Sequence, residues 1–335
     1  MDRQHQLTLY RAMVTARRID QLEQEITNRG EAFFTVSGSG HEAAAALALH
    51  LTEDDWLHCH YRDKALLLAR GIPPRAFFDN LYCKDGSSSR GRQMYGFFSD
   101  PDLHVLSMVV PVGNNGLQAA GVAAAVRDQP GSPIVYCGAG DGTTQEGEFL
   151  EACAEAVRNR LPVLFVVQNN QYAISTPTAG RTFYSLPDGA NNQFFGMPIR
   201  FVDGRQAVQA YQAFGEVVAD MRQHRGPALI VLEVERLSSH TNADDHSIYR
   251  SADDIARCRQ TGDPIPIFER WLLEQGWNEA ELAEVRQHID LAIAQADDAR
   301  VDDVGVHLRA TDRRHAFHAA AVLAPFIEYV RDVQL

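Results

Sequence analysis

Two short runs of consecutive apolar residues stand near the middle of the chain. The first covers residues 133–137 and the second covers residues 163–167. Between them, residues 147–159 place apolar side chains on one helical face and charged side chains on the other, which predicts an amphipathic helix. Apolar runs of this length, joined by a helix, are typical of buried parallel strands. The pattern therefore predicts a strand–helix–strand unit within a parallel sheet.

The rest of the chain alternates in the same way. Helices are predicted over residues 7–28, 65–70, 74–82, 116–126 and 206–225, from residue 253 onward, and from His41 with Ser39 as the cap of that helix. Strands are predicted over residues 201–204 and 228–234. Irregular segments are predicted over residues 83–94, 175–198 and 240–250. This alternation indicates a doubly wound, mostly parallel α/β sheet with N- and C-terminal helical extensions. No repeat or linker divides the sequence, so we predict a single domain over residues 1–335, in which residues 251–335 form a helical extension.

Composition narrows the class of protein. The 335 residues carry a net charge of −13, which argues against a nucleic-acid partner. No apolar run approaches the roughly 18 to 20 residues that a membrane span needs. The five cysteines are scattered and lack Cys-x-x-Cys spacing, as is usual in a reducing compartment. We therefore expect a cytoplasmic protein without a membrane partner.

Polar residues follow both central strands. Asp141 lies in the segment Gly140-Asp141-Gly142-Thr143 after the first strand, and Asn170 follows the second. The carboxyl ends of neighbouring parallel strands form the ligand-binding edge of such a sheet. Either residue alone is more typical of a helix cap or a turn. Together, as hard oxygen ligands, they predict a Mg²⁺ site shared with phosphate oxygens. A dinucleotide fingerprint is disfavoured, because Thr143 occupies its last glycine position.

Further motifs extend along most of the chain in a fixed order. They are residues 34–42, Tyr61-Arg62-Asp63, residues 91–94, Val202-Asp203-Gly204, the loop around His240, Tyr249-Arg250 and Gln275-Gly276-Trp277. With the site above, these motifs resemble the α subunit of the thiamine-diphosphate-dependent decarboxylating component of 2-oxo acid dehydrogenase complexes. The resemblance is strongest to the branched-chain, or 2-oxoisovalerate, type, and it implies a thiamine-diphosphate-binding fold of the diphosphate-binding kind.

The resemblance implies a role for each matching residue. It implies that Mg²⁺ is bound by Asp141, Asn170 and the backbone oxygen of Tyr172. It also implies that the cofactor is bound by Tyr61, Arg62, Val110, Val112, Gly140, Gly142, Thr143, Asn170, Ile174 and His240. His240 is the catalytic candidate, since the corresponding histidine sits over the diphosphate and the reacting carbon. An isolated loop histidine is otherwise usually solvated. Asp244 and Asp245 are expected to order its loop, and His246 to be a surface residue.

Departures from the family pattern affect the pocket more than the metal ligands. Phe97 stands where relatives usually carry a histidine near the substrate, which points to a larger or more apolar acyl group or a divergent acceptor. Gln168 replaces an arginine that assists the diphosphate. The branched-chain type also binds K⁺ along residues 109–115; here Val110 replaces a serine, and Asn114-Asn115 replace a Thr-Gln pair.

The cofactor also needs a glutamate that activates its pyrimidine, and in this family a second domain supplies it. The chain has no room for that domain, so we expect a β subunit carrying the glutamate and a heterotetramer of two α and two β chains. The expected activity is oxidative decarboxylation of a small 2-oxo acid with reductive acylation of a lipoyl domain on an acyltransferase. Alternatives are a stand-alone thiamine-diphosphate carboligase or decarboxylase, and a cofactor-free scaffold or regulatory subunit.

Overall fold

The computed structural model describes residues 1–302, with side chains as far as Asp297. The helices are α1 (Arg3–Asn28), α2 (Lys64–Arg70), α3 (Pro74–Leu81), α4 (Asn114–Val126), α5 (Gly147–Asn159), α6 (Ala207–His224), α7 (Ala252–Thr261), α8 (Pro264–Glu274) and α9 (Glu279–Asp302). The strands are β1 (Trp56–His58), β2 (Val135–Gly140), β3 (Val163–Asn169), β4 (Tyr172–Ala173), β5 (Thr176–Pro177), β6 (Ser185–Leu186), β7 (Gly189–Ala190), β8 (Gln193–Phe194), β9 (Met197–Asp203) and β10 (Ala228–Glu233). Short 3₁₀ segments cover Glu42–His50, Gly142–Gln145 and His246–Ile248.

The central sheet has the strand order β1-β2-β3-β10-β9-β8. Its pairs are parallel, except that β8 joins the edge antiparallel to β9. Strands β2 and β3 are neighbours, and their register pairs Gly140 with Gln168 at the carboxyl end. The predicted doubly wound, mostly parallel α/β fold is therefore confirmed.

Both faces of the sheet are covered. Along β3, Val163, Phe165 and Val167 pack in one core with α4 and α5, whereas Leu164 and Val166 pack in a second core with α1 and α6. Consecutive strand residues point to opposite faces, so a strand buried on both sides must be apolar throughout. This is why the central runs show no polar alternation.

Helix α5 has the predicted bounds and faces. Phe149 and Cys153 are buried, whereas Glu148 and Glu151 are exposed. The helix ends where Arg160 adopts a left-handed conformation with φ of 50°. This short helix returns the chain directly from β2 to its parallel neighbour β3.

On the N-terminal side, one local prediction was wrong and one strand was not predicted. Ser39 does not cap a helix; its hydroxyl donates to the buried carboxylate of Asp20 at 3.0 Å, and the segment that follows is a 3₁₀ helix. Strand β1 was missed because its three residues include the buried polar His58. Both differences arise because tertiary partners outweighed local sequence preference.

The C-terminal part is helical over α7, α8 and α9, as expected, and α9 packs against α1 and α3. Residues 303–335 of the predicted extension lie outside the described residues, and the single-domain division stays a prediction. Within residues 1–302, none of the helices combines the length and the apolar character that crossing a membrane would require.

Candidate functional site

Asp141 and Asn170 lie at the same edge of the sheet, each directly after its strand. Asp141 follows β2 and is 2% exposed, and Asn170 follows β3 and is 8% exposed. The turns that carry them touch, since a Cβ placed on Gly142 would lie 2.7 Å from the Cβ of Ala173. The structure therefore brings together the two loops that the sequence analysis singled out.

The carboxylate of Asp141 is held by uncharged hydrogen-bond donors. Its Oδ2 accepts a hydrogen bond from the Thr178 hydroxyl at 2.6 Å. Burial raises the pKa of Asp141, and the hydrogen bonds from Thr178 and the backbone offset that rise only in part. Among the described residues, no basic side chain forms an ion pair with it. A buried carboxylate in this state is stabilised when a cation binds.

The amide of Asn170 is bonded at both ends. Its Oδ1 accepts from the Tyr172 backbone N–H at 3.2 Å, and its Nδ2 lies 3.3 Å from Nε2 of His41. His41 in turn places Nδ1 2.7 Å from Oε1 of Gln168, whose Nε2 donates to Asp63. These side chains are all buried. A row of polar groups thus runs beneath the edge of the sheet to the predicted metal ligand.

Burial changes the ionisation of this row. Burial, and then the nearby Arg62 charge, lowers the pKa of His41 to about 3. Burial raises the pKa of Asp63 to about 6, against the opposing hydrogen bonds from His60, Tyr136 and Gln168. At neutral pH His41 is therefore an uncharged imidazole and Asp63 is ionised.

Arg62 connects the segment after β1 with the loop after β10. One guanidinium nitrogen donates to the backbone oxygen of Ser37, and Nη2 lies 2.8 Å from Nδ1 of His240. The Tyr61 ring meets His240 edge-on, with 6.2 Å between ring centroids. Burial and the charges of Arg62 and Arg236 lower the pKa of His240 to about 2. The structure thus brings the predicted Tyr61, Arg62 and His240 together, with a neutral histidine.

A small cavity opens beside these residues. Its walls include the predicted Tyr61, Val112 and Thr143, together with Phe97. His60 also lines it, and within residues 1–297 its buried Nε2 has no hydrogen-bond partner. The remaining walls come from Cys59, Met108, Val109, Pro111, Gly113, Asn115 and Gly138. A ligand with a polar group could satisfy His60 while its apolar part contacts the valine and phenylalanine walls.

The remaining predicted residues lie around this cavity or at the surface. A Cβ on Gly140 would come within 3.3 Å of His60 Nε2, so glycine leaves space there. Tyr172 is half-buried and lies in β4. Val110 is 53% exposed, and Ile174 is 38% exposed at a left-handed position with φ of 57°. Neither Val110 nor Ile174 is among the residues that line the cavity.

The loop that carries His240 is ordered by Asp244. Its Oδ2 accepts from the His240 backbone N–H at 2.7 Å and from the Tyr249 hydroxyl at 2.5 Å. Asp245 accepts from the backbone N–H of Ser247 at 2.9 Å and begins the short 3₁₀ turn. The assignment of His246 to the surface was wrong, since it is only 8% exposed.

Sequence reasoning missed several residues of the site. His60, Thr178 and Arg236 were not predicted as site residues, and His41 was predicted only as the start of a helix within the motif of residues 34–42. Arg236 is 1% exposed and donates to the Ile174 backbone oxygen at 2.8 Å and to the Tyr249 hydroxyl at 2.6 Å. The one usable signal was the position of Arg236 shortly after a predicted buried strand, because residues beyond the carboxyl ends of parallel strands line the ligand-binding edge.

The charges at this edge fit a metal-bound anion. Arg62 and Arg236 are buried, and within the described part of the chain neither forms an ion pair with a carboxylate. Asp141 likewise has no basic partner there. Residues 1–297 hold no group of three or more His, Cys, Asp or Glu side chains that could bind a metal alone. The available donors are one carboxylate, one amide and main-chain carbonyls, which suits Mg²⁺ with phosphate oxygens completing its coordination.

Comparisons with known proteins point to one family. The model of the dehydrogenase E1 component family matches residues 10–304. The chain is 34% identical over 306 residues to the 3-methyl-2-oxobutanoate dehydrogenase subunit alpha of Mycobacterium tuberculosis (strain ATCC 25618 / H37Rv), covering 88% of this chain and 80% of that protein. It is 32% identical over 278 residues to the 2-oxoisovalerate dehydrogenase subunit alpha of Bacillus subtilis (strain 168), covering 82% of this chain and 83% of that protein.

Proposed function

The chain belongs to the dehydrogenase E1 component family, and we propose that it is the α subunit of a thiamine-diphosphate-dependent 2-oxo acid dehydrogenase. The relatives named above are α subunits of branched-chain 2-oxo acid dehydrogenases, and a similar substrate is proposed here. The reaction is oxidative decarboxylation of a small 2-oxo acid, with transfer of the acyl group to a lipoyl group.

One observation carries this proposal. A buried carboxylate without a basic partner, Asp141, lies at the same edge of the sheet as the buried guanidinium groups of Arg62 and Arg236, which have no acidic partner among the described residues. Unpaired buried charges of both signs are costly, and a magnesium–diphosphate pair would neutralise both. Asp141, Asn170 and the Tyr172 backbone oxygen would hold Mg²⁺, while Arg62, Gly142 and Thr143 would contact the diphosphate.

Thiamine diphosphate, when bound, supplies a nucleophilic thiazolium carbon and accepts the electrons released by decarboxylation. The side chains of the protein position the cofactor and the substrate. Phe97 and Val112 form apolar walls of the cavity, against which the apolar part of a bound substrate would pack. His240 accepts the Arg62 N–H at Nδ1, so its proton resides on Nε2. A neutral imidazole in this tautomer can donate a hydrogen bond to a substrate oxygen.

A β subunit is part of the proposal. The pyrimidine-activating glutamate would come from that chain, in an assembly of two α and two β chains. Val110 and Ile174 lie beside the site with 53% and 38% of their surfaces exposed, and a partner would cover such apolar side chains. A lipoyl acyltransferase is the proposed acceptor, and the free cysteines agree with a cytoplasmic location. A K⁺ ion near residues 109–115 stays a prediction that metal analysis of the purified complex would test.

The direct test is calorimetric titration of the α/β complex with thiamine diphosphate in the presence of Mg²⁺. We expect saturable binding by the wild-type protein and its loss in Asp141→Ala. Asp128→Ala is the matched control, because Asp128 is exposed and lies outside the site. Binding that survives Asp141→Ala unchanged would contradict the proposal, and absence of binding by the wild type would favour the scaffold alternative.

A second assay separates the two enzymatic alternatives. The complex is incubated with 3-methyl-2-oxobutanoate, with and without an isolated lipoyl domain, and the products are identified by mass spectrometry. An acylated lipoyl domain is expected. If products form only by joining two carbonyl compounds, or by simple decarboxylation irrespective of the lipoyl domain, the stand-alone carboligase or decarboxylase is the correct alternative.

A further inference from the structure

We propose that Asp63, Gln168 and His41 are positioning residues that decide which end of the Asn170 amide faces the metal site. The inference rests on the proposed function, since it assigns Asn170 as a ligand of Mg²⁺. The residues form one buried row, in which Asp63 contacts Gln168, Gln168 contacts His41, and His41 contacts Asn170.

The hydrogen bonds of the row share one donor-to-acceptor direction, and Asp63 sets that direction. Oδ2 of Asp63 accepts two hydrogen bonds, from the His60 backbone N–H at 2.7 Å and from the Tyr136 hydroxyl at 2.9 Å. Its Oδ1 accepts from Nε2 of Gln168. An ionised carboxylate can only accept, so Gln168 must turn its NH₂ group toward Asp63 and its oxygen toward His41.

The remaining contacts follow from that first choice. Because Oε1 of Gln168 lies 2.7 Å from Nδ1 of His41, Nδ1 must carry the proton of the neutral ring. Nε2 of His41 is then an acceptor, and it faces Nδ2 of Asn170 at 3.3 Å. The amide nitrogen of Asn170 is thereby committed to His41. Its oxygen is left on the opposite side, where it accepts from the Tyr172 backbone N–H at 3.2 Å and keeps a second lone pair for a cation.

A carboxamide at position 63 would reverse this direction without changing side-chain size. In Asp63→Asn, the backbone N–H of His60 requires the amide oxygen on its side, which places the new NH₂ group against Gln168. Gln168 must then rotate, and the proton of His41 moves to Nε2. Asn170 would consequently turn its oxygen to His41 and its NH₂ group toward the metal, and it would give up the hydrogen bond from the Tyr172 backbone N–H. An amide NH₂ group cannot bind a cation.

The test is Mn²⁺ titration of the complete α/β complex with thiamine diphosphate present, followed by electron paramagnetic resonance of the free ion. We expect Asp63→Asn to weaken Mn²⁺ binding by roughly 10- to 100-fold. Tyr136→Phe is the matched control, because it removes a hydrogen bond from the same carboxylate but leaves the direction of the row intact. Its affinity is expected to stay within about threefold of wild type.

A second pair of variants tests His41 directly. Gln can accept from Asn170 and donate to Gln168, so His41→Gln is expected to retain most of the Mn²⁺ affinity. His41→Leu can do neither and is expected to lose it. The unfolding temperature of each metal-free complex is measured in parallel, so that a general loss of folding is recognised.

The outcomes separate this inference from the proposed function. Wild-type protein that fails to bind Mn²⁺ with thiamine diphosphate overturns both. Wild-type binding together with equal affinities for Asp63→Asn and Tyr136→Phe, or for His41→Leu and His41→Gln, overturns the positioning role alone. A variant that loses affinity only in proportion to its unfolding temperature counts against the role as well.

Discussion

Nη2 of Arg62 lies 2.8 Å from Nδ1 of His240 and 3.2 Å from its backbone oxygen. The two residues are far apart in the sequence, and a second nitrogen of the same guanidinium holds the backbone oxygen of Ser37. A single planar group therefore fixes the His240 loop against the segment after β1. The same group is the proposed contact of the diphosphate.

Replacing this guanidinium by an ammonium is expected to disturb both contacts. Lysine cannot place separate N–H groups on Ser37 and His240 in one plane. We therefore predict that Arg62→Lys lowers the affinity for thiamine diphosphate roughly tenfold or more, corresponding to at least about 1.4 kcal/mol. Calorimetric titration of the α/β complex measures the change. Arg158→Lys, at a largely exposed site on α5, is the control and should bind as the wild type does. Equal affinities for Arg62→Lys and the wild type would contradict the prediction.

Thr178 is expected to orient the carboxylate of Asp141. Its hydroxyl donates to Oδ2 at 2.6 Å and so fixes the orientation of the carboxylate that would face the cation. Thr178→Val keeps the shape but removes this donor, so we predict a roughly 10-fold weaker Mg²⁺ affinity. Thr176→Val is the control on the exposed strand β5 and should bind normally. The reading is wrong if both variants bind Mg²⁺ equally well.

The low pKa of His41 makes a prediction about acid stability. Its folded pKa is about 3, below the ordinary value of 6.5, so the unfolded chain binds the proton more readily. The stability that this group contributes is complete above pH 6.5 and is lost as the pH falls toward 3. The loss is on the order of 1 kcal/mol per pH unit. The unfolding temperature of His41→Gln should therefore fall less steeply than that of the wild type as the pH is lowered from 6.5 to 4.5.

Thermal unfolding of the complex at several pH values measures this slope. His224→Gln removes an exposed histidine and should keep the wild-type slope. Asp63 acts in the opposite sense, because its pKa is raised to about 6, but it is present in all three proteins and cancels in the comparison. Identical slopes for the wild type and His41→Gln would refute the assignment.

Phe97 is expected to decide which apolar acyl groups fit the cavity. It is 5% exposed and lines the cavity, whereas its neighbour Phe98 packs against Phe77 with 4.6 Å between ring centroids. Phe97→Leu should shift kcat/KM toward longer apolar 2-oxo acids by roughly 10-fold, about the effect of one methylene group. Phe98→Leu should destabilise the fold about as much as Phe97→Leu does, but it should leave the preference for 2-oxo acid chain length unchanged. A series of 2-oxo acids of increasing chain length provides the measurement.

Val110 provides a test of the partner surface. A charge placed in a covered apolar position must be desolvated, so Val110→Lys should weaken assembly with the β chain by a few kcal/mol. Leu291→Lys is the matched control on α9, where Leu291 is 56% exposed. Size-exclusion chromatography at decreasing concentration reports the dissociation. If Leu291→Lys dissociates at the higher concentration, the partner surface lies elsewhere.

The sequence by itself determined the parallel core of the sheet and the pair of residues that meets at its carboxyl edge. Residues 133–137 and 163–167 are apolar without alternation, because strands buried on both faces need apolar side chains at every position. Asp141 and Asn170 follow these strands directly, and neighbouring parallel strands end at the same edge. Their approach could be predicted from the order of residues alone.

Only the tertiary structure decided what surrounds those ligands. His41, Gln168 and Asp63 come from three separate segments, and nothing in the local pattern of any one of them indicates the others. The same holds for Ser39, whose hydroxyl bonds Asp20 rather than starting a helix. Periodicity reports which face of an element is buried. It does not report which polar groups meet inside, because a buried hydrogen bond is satisfied by whichever partner the packing brings within reach.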